Sequence, residues 1–296
     1  MDAIRQSMSS GIMGSVIRIV FILLGLYLLY VLYDFMYSTS DLNDYVIYNG
    51  VTLGRPLTGV RSQVPAATFT NTKDTQKIFK IATGSDFSVS FWMYYKDTSY
   101  EYLKNKFIFS LGSPLTPAKD QSLLVYIGND SNRLVVRTNA SVPTASTSPQ
   151  TSSLSYTNVE KLFNPTTGIP TLDDMDNDKL LCSIKTIDFQ KWVLVNIVSS
   201  QKTLDIYIDG KLGRSCILPD NIRIPKDYQL NMFSYNGFGG YVSNFSVHDY
   251  ALNPEQTWRM YMAGPGFKYG LLDYISALFD PKSVSSYKYP AYPGNS

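Results

Sequence analysis

Residues 203–212 read TLDIYIDGKL, and this stretch decides the fold class. Leu204, Ile206 and Ile208 alternate with other side chains, and this period of two is typical of a half-buried β-strand. The pair Asp209-Gly210 then predicts a two-residue hairpin turn, because type I′ turns require positive φ at both central positions. With a return strand expected over residues 211–218, the stretch indicates an antiparallel β domain.

Similar short runs lie on both sides of this hairpin and are separated by turn signals such as Gly112-Ser113-Pro114. Repeated short strands between turns predict a sandwich or barrel. Near the end of the pattern, Asn253 followed by Pro254 predicts a capped short helix that Gly264 ends. The expected strands cover residues 87–94, 106–111, 122–127, 133–137, 180–186, 192–199 and 239–248.

The composition excludes several classes of function. The net charge is +2 and no run of lysine and arginine is present, so we expect no nucleic-acid partner. One histidine and two cysteines are too few for the common zinc sites unless carboxylates complete them. We therefore expect no cofactor. Aromatic residues make up 14% of the chain, and they pack well on pleated sheets.

An apolar stretch near the start, Ile12–Tyr33, reads IMGSVIRIVFILLGLYLLYVLY. As a helix it would extend about 33 Å, enough to cross a bilayer core. The alternative is a cleaved signal peptide. However, the residues at the C-terminal end of the apolar stretch are bulky and aromatic, whereas a signal-peptide cleavage site has small residues. Arg5 and Arg18 precede the core, which predicts the N-terminus on the inner, cytoplasmic side. The predicted membrane residues are Ile12, Arg18, Ile19, Leu23, Leu24, Leu28, Leu29 and Tyr33.

Four segments of the chain follow one another in an order found in one family. They are FSVSFW (87–92), KWVLVNIV (191–198), TLDIYIDGKL (203–212) and FGGYVSNFSVHDYALNPE (238–255). In that order they resemble the F-x-x-S-F-W strand, the W-x-x-V strand, the L-x-x-Y-x-D-G-K hairpin and the closing F-x-G-x-I…A-L-x-x-E signature of laminin-G-like, concanavalin-A-like domains. The resemblance implies an all-β fold, a two-sheet antiparallel jelly-roll sandwich preceded by one transmembrane helix.

A narrower resemblance adds a biological setting. The N-terminal anchor, Cys182 before Gln190-Lys191-Trp192, Cys216-Ile-Leu-Pro219 and Asn236-Gly237-Phe238 are similar to anchored jelly-roll proteins of large DNA viruses that infect algae and protists. Such viruses carry an internal membrane under an icosahedral capsid. The resemblance implies a virion membrane or minor capsid protein, with the lipid bilayer and capsid or other virion proteins as partners. The wider family implies an alternative, a membrane-anchored lectin that binds glycans through the jelly-roll rim.

The predicted organisation has five parts. A short N-terminal segment (1–11) precedes the transmembrane helix and its interface (12–37), and a connector (38–78) leads into the jelly-roll domain (79–266). The Ser/Thr/Pro-rich insertion at 138–179 is expected to be a surface loop, with an O-glycosylated or partner-binding segment as the alternative. The tail (267–296) has amphipathic spacing and then turns Tyr- and Pro-rich. It is expected to pack on its own domain, with membrane or partner contact as alternatives.

Catalysis is not expected. Glycan-cleaving relatives carry a Glu-x-Asp-x-x-Glu pattern that is absent here. Asp205 and Asp209 share a strand face, but the turn needs Asp209. His248 lies beside Asp249 at a strand end, where we expect a solvated side chain. No nucleophile-elbow sequence accompanies it.

Other candidate sites are weaker. Asp173, Asp174, Asp176 and Asp178 form a weak Ca²⁺ candidate in a loop, and a solvated acidic loop is the default. Two cysteines on the far side of a membrane favour a disulfide between Cys182 and Cys216, which the viral resemblance supports; two buried thiols are the alternative. Asn129 and Asn139 open sequons in turn or loop sequence and are glycosylation candidates. A third sequon, at Asn244, lies inside a strand.

Overall fold

The chain separates into two compact units, Met1–Asp41 and Leu42–Ser296. The computed structural model describes residues 2–37, 44–54, 63–65, 70–71, 81, 83–84, 86–113, 121–129, 131–140, 156–163, 181–225 and 228–265. The predicted Ca²⁺ candidate and the C-terminal tail lie outside these residues.

The first unit contains one long helix, α1 (Asp2–Tyr37). Its stretch Gly14–Tyr33 has a mean hydropathy of 2.4, with none of that window buried. Twenty residues of helix reach about 30 Å, the thickness of a bilayer core. The helix is long and apolar enough to cross a membrane, and a signal sequence near the N-terminus has the same length and composition. Leu23, Leu24, Leu28, Leu29, Ile19 and Tyr33 are all exposed on it, and Ile12 and Arg18 belong to the same helix.

The second unit is built from two antiparallel sheets of described strands. A seven-stranded sheet has the order β11-β10-β9-β4-β13-β1-β3, and a six-stranded sheet has the order β2-β12-β5-β6-β7-β8. The predicted two-sheet antiparallel sandwich, preceded by an apolar helix, is confirmed. The strands are β1 (Asp44–Leu53), β2 (Gln63–Pro65), β3 (Thr70–Asn71), β4 (Phe87–Tyr95), β5 (Lys106–Gly112), β6 (Gln121–Ile127), β7 (Leu134–Thr138), β8 (Leu181–Ile184), β9 (Trp192–Ser200), β10 (Thr203–Ile208), β11 (Lys211–Ile217), β12 (Gln229–Met232) and β13 (Gly240–His248).

The core lies between the sheets and follows from the alternation in each strand. Phe87, Val89, Phe91, Met93 and Tyr95 of β4 all point inward, as the period of two requires. At the centre, the Phe91 ring stacks on Phe245 at 5.5 Å between centroids and meets Phe109 edge-on at 5.6 Å. Burial of these rings supplies much of the driving force for folding.

The strand β1 corrects the prediction of a connector. It lies within residues 38–78, yet it pairs with β13 along its length, with Asp44 opposite His248 and Leu53 opposite Tyr241. Asn49 and Gly50 lie inside this strand, where the register shifts between Tyr48 and Val51. A partner about 200 residues later in the chain decides this structure, and local sequence does not contain it.

Two edge strands are joined covalently. The predicted disulfide is confirmed: Cys182 on β8 and Cys216 on β11 are bonded, with Cα atoms 5.9 Å apart. Arg214 Nη1 adds a hydrogen bond to the Ser183 carbonyl oxygen at 3.2 Å. Because β8 ends one sheet and β11 ends the other, the bond closes the sandwich along one side.

The outer faces of both sheets carry helices. Within the predicted surface-loop insertion, helix α2 (Tyr156–Phe163) buries Val159 and Phe163 against Phe107 and Tyr126. The surface-loop prediction is therefore wrong for these eight residues, because a one-turn spacing of two apolar residues suffices to dock a short helix. Helix α3 (Pro254–Ala263) packs on the seven-stranded sheet, and its predicted cap at Asn253 is confirmed, with a capping box between Asn253 and Gln256.

Candidate functional site

The loops at one end of the sandwich form the candidate site, which we call the rim. It comprises residues 96–105, 128–133, 185–191, 209–210 and 233–239; residue 130 is not among the described residues. The register places these loops together, since Tyr95 pairs with Gly240 and Lys106 with Ile127. Asp44, the first residue of β1, lies at the opposite end beside His248. The rim is thus the end of the sandwich remote from the start of β1.

Backbone strain concentrates in the rim. Left-handed φ angles of non-glycine residues cost energy and cluster at functional sites in proteins. Among the described residues, seven such positions lie in the rim: Glu101, Leu103, Gln190, Asp209, Phe233, Tyr235 and Asn236, with φ between 49° and 68°. The surrounding structure must hold these conformations in place.

Side-chain hydrogen bonds fix the loop 96–105. Asp97 Oδ1 accepts from the backbone N–H of Ser99 at 2.8 Å and from its hydroxyl at 2.6 Å. Glu101 pairs with Lys104 at 2.6 Å and accepts from Asn236 Nδ2 at 2.8 Å. The Tyr100 hydroxyl donates to the Asn236 carbonyl oxygen at 2.9 Å. These bonds tie the loop to the turn 233–237, so its tip is ordered before any partner binds.

The fixed loops hold apolar side chains in solvent. Tyr102 is 72% exposed, Leu103 39% and Phe189 37%. Phe189 still meets the Tyr95 ring edge-on, at 5.5 Å between centroids. Aromatic and aliphatic side chains displayed on ordered loops are typical anchors of binding surfaces.

Titratable side chains lie within this loop and at the ends of the two strands that it joins. Lys106 is 2% exposed, and its Nζ donates to the Lys104 carbonyl oxygen at 3.1 Å. Burial lowers the pKa of Lys106, although Glu101 and Asp97 oppose this shift. Burial also raises the pKa of Tyr95 to about 12, helped by the nearby Asp97 charge. The hydrogen bond from Lys104 lowers the pKa of Glu101, so this carboxylate stays ionised.

The hairpin turn forms another part of the rim. Asp209 has φ 51° and Gly210 has φ 74°, as the type I′ prediction requires. Leu194 exchanges two hydrogen bonds with Asp209, each 2.9 Å long. A Cβ on Gly210 would lie 3.0 Å from Trp258 Cα, so glycine lets α3 approach closely. The pKa of Lys191 is raised by its hydrogen bond to Asp188, with Asp209 adding to the effect.

The predicted catalytic candidates have other roles or other surroundings. Asp209 is a turn residue bonded to Leu194 N–H, and Asp205 is half-buried on β10. The expectation of a solvated His248 is wrong, because His248 is fully buried. Its strand, β13, pairs with β1 on one side and with β4 on the other. The centroids of the His248 and Tyr250 rings lie 5.6 Å apart. Its Nε2 is 3.2 Å from Ser246 Oγ.

The remaining predicted sites can be placed only in part. Asp173, Asp174, Asp176 and Asp178 lie outside the described residues, and within the described part no group of three or more His, Cys, Asp or Glu side chains could hold a metal ion. Asn129 lies in a rim loop. Asn139 lies at the other end, where its amide bonds both backbone groups of Arg223, at 2.8 and 3.0 Å.

Sequence reasoning missed the rim residues Tyr102, Leu103, Lys106 and Asn236. Only the position of residues 96–105 between two predicted strands could have pointed to this loop. The exposure of Tyr102 and the burial of Lys106 depend on the turn 233–237, which lies more than 100 residues away in the sequence.

No known protein family and no curated protein sequence matches the chain. The ligand-binding domain of botulinum neurotoxin serotype D, in complex with N-acetylneuraminic acid, has a TM-score of 0.43 at 12% identity, covering 76% of this chain and 52% of that one. The receptor-binding domain of the mosaic serotype C/D has 0.44 at 11%, covering 77% and 52%. That of type G has 0.37 at 16%, covering 60% and 38%. The chain thus spans 52% or less of these structures, and the likeness carries no argument about function.

Proposed function

We propose that this chain is a membrane-anchored binding protein without catalytic activity, and that the rim contacts its partner. The observation that supports this best is the loop 96–105, which displays Tyr102 and Leu103 while its own hydrogen bonds fix it. A loop ordered before binding loses little conformational entropy when a partner docks. Exposed aromatic and aliphatic side chains can then bury their full area against that partner.

The proposal takes α1 as a retained single-pass anchor with the N-terminus inside. The disulfide is consistent with this orientation, since such bonds form on the oxidising, non-cytoplasmic side of a membrane. The test is the intact mass of the full chain from eukaryotic membranes, together with alkaline extraction. A retained helix that resists extraction supports the anchor. A mature protein lacking residues 1–37 would make α1 a signal sequence.

For the partner, we propose a capsid protein, with this chain as a minor capsid protein that links the internal membrane of a large DNA virus to its capsid. The support is the sequence resemblance to anchored viral jelly-roll proteins, together with an apolar rim suited to protein contact. A photo-crosslinker at position 102 should capture a capsid protein in purified virions. The same crosslinker at the exposed Lys161 on α2 is the control. Absence of the chain from purified virions would refute the capsid role without touching the binding role.

A lectin is the second candidate, and one observation favours it. The rim combines the exposed Tyr102 ring with the polar groups of Glu101, Lys104 and Asn236, and aromatic stacking with directed hydrogen bonds is a composition that suits a ligand site. The full chain in detergent micelles should be tested on a glycan array with and without a calcium chelator. Saturable binding that Tyr102→Ala abolishes would favour the lectin. Chelator sensitivity would favour the loop Asp173–Asp178 as a Ca²⁺ site.

A further inference from the structure

The outer face of the seven-stranded sheet carries a row of polar residues. Ser246 on β13, Ser90 on β4 and Asn196 on β9 are direct cross-strand partners, and Tyr207 on β10 continues the row. Such partners lie about 4.5–5.5 Å apart. The row is buried, with exposures of 6%, 2%, 0% and 6% in that order. Four neighbouring strands therefore place hydroxyl and amide groups side by side on a covered face.

Asn196 lacks the bonds that a buried amide normally makes. Neither its Nδ2 nor its Oδ1 has a hydrogen-bond partner among the described residues. The flanking residues of its strand on the same face, Leu194 and Val198, are apolar and belong to the surrounding cluster. Buried side-chain amides are nearly always paired, so an unpaired one requires an explanation. A leucine of similar size would fit this cluster without an unpaired amide.

Helix α3 packs on the apolar cluster around this row and contacts the row directly at Ser90. Ser90 Oγ has Met260 Sδ as its acceptor at 3.5 Å, and a thioether sulfur accepts hydrogen bonds only weakly. Beside it, Tyr261 stacks on Trp92, with ring centroids 6.0 Å apart and planes 19° apart. Met260 thus covers the Ser90 hydroxyl, and the Tyr261 ring covers the Trp92 ring. A ring-shaped ligand with hydroxyl groups would use these same two positions.

We infer that Ser246, Ser90, Asn196 and Trp92 form a binding site for a carbohydrate unit, with α3 as its cover. Adjacent sugar hydroxyls donate to Asn196 Oδ1 and accept from its Nδ2, and Ser90 Oγ, released from Met260, binds a third hydroxyl beside Ser246, which keeps its contact with His248 Nε2. Trp92 packs against the apolar face of the sugar ring once Tyr261 leaves. The sugar must displace α3, so the apparent affinity falls by the fraction of molecules in which α3 is open. This site lies apart from the rim and does not depend on the rim proposal.

The test uses the full chain in detergent micelles on a glycan array, with titration of each positive glycan. The variant Met260→Ala/Tyr261→Ala removes both α3 contacts and should bind at least tenfold more tightly than the unaltered chain. Adding Asn196→Leu should abolish this binding. Met262→Ala, on the exposed side of the same helix, should leave it unchanged. Saturating glycan should also speed amide exchange in α3 but not in β9.

Circular dichroism and tryptophan fluorescence establish that each variant is folded, and Tyr261→Ala alone replaces the double variant if the latter does not fold. The inference is overturned if no folded variant with an altered α3 binds any glycan. It is equally overturned if Asn196→Leu binds as well as its parent. Binding that is lost with Tyr102→Ala but kept with Asn196→Leu would assign the glycan to the rim instead.

Discussion

The disulfide between β8 and β11 is expected to contribute strongly to stability. Cys182 and Cys216 are 34 residues apart in sequence. Closing a loop of that length in the unfolded chain corresponds to about 3.8 kcal/mol at 25 °C in the chain-entropy estimate. For a domain of this size, such a loss lowers the unfolding midpoint by about 8–15 °C. We therefore expect Cys182→Ala/Cys216→Ala to unfold well below the unaltered chain.

The assay uses the intrinsic fluorescence of the full chain in detergent micelles during thermal and urea unfolding. All three tryptophans, Trp92, Trp192 and Trp258, lie in the second unit, so the signal reports the sandwich and not α1. Alanine is chosen because Cys182 is fully buried and a serine would bury an additional hydroxyl. Wild-type protein refolded under reducing conditions is the control that keeps both sulfur atoms but removes the bond.

Two outcomes would refute this reasoning. A double variant within about 1 kcal/mol of the unaltered chain would show that the unfolded chain is already restricted in this region. Amide exchange supplies the second criterion. Loss of the bond should open Leu181–Ile184 and Lys211–Ile217 first, because these edge strands pair on one side only within the described sheets. Uniform loss of protection across both sheets would contradict the edge-closing role.

Three further outcomes are expected. Asn196→Leu should stabilise the domain by about 1–3 kcal/mol in urea unfolding, because it removes a buried amide without hydrogen bonds, and a loss of stability would contradict this account. Glu101→Gln should flatten the acid side of a plot of unfolding midpoint against pH. The lowered pKa of Glu101 gives stability that is present above pH 4.5 and lost as pH falls through the folded-state value, so an unchanged acid limb would count against it. Gly240→Ala should cost about 3 kcal/mol, because its Cβ would overlap the Tyr94 carbonyl oxygen of the neighbouring strand, and near-normal stability would show that these strands can separate locally.

Much of the fold could be predicted because it depends on neighbours in sequence. The alternation in residues 203–208, the positive φ angles of Asp209-Gly210 and the capping box at Asn253 all involve residues within a few positions of one another. The N-terminal apolar helix is likewise a property of one continuous stretch. Each of these predictions is confirmed because the interactions that decide it are local.

The strand β1, the burial of His248 and the helix α2 could not be predicted in this way. Asp44 pairs with His248, so one distant contact both makes the connector a strand and buries the histidine. The helix α2 docks because Phe163 stacks on Tyr235, at 5.1 Å between ring centroids, and both residues belong to segments that carry no strong pattern. Strand pairing and side-chain packing with residues far away in sequence therefore decide the structure of these segments.

The sequence by itself determined an apolar helix of membrane-spanning length and an antiparallel β domain, and it favoured a disulfide between its two cysteines without deciding against two buried thiols. Alternation, turn signals and composition are properties of consecutive residues, so they can be recognised without the folded structure. The tertiary structure alone decided which residues form the rim and which lie beneath α3. Tyr102 is exposed and Asn196 is buried without a partner among the described residues because of segments far away in sequence. Exposure and hydrogen bonding depend on what the folded chain places next to a residue, and its sequence neighbours do not fix that.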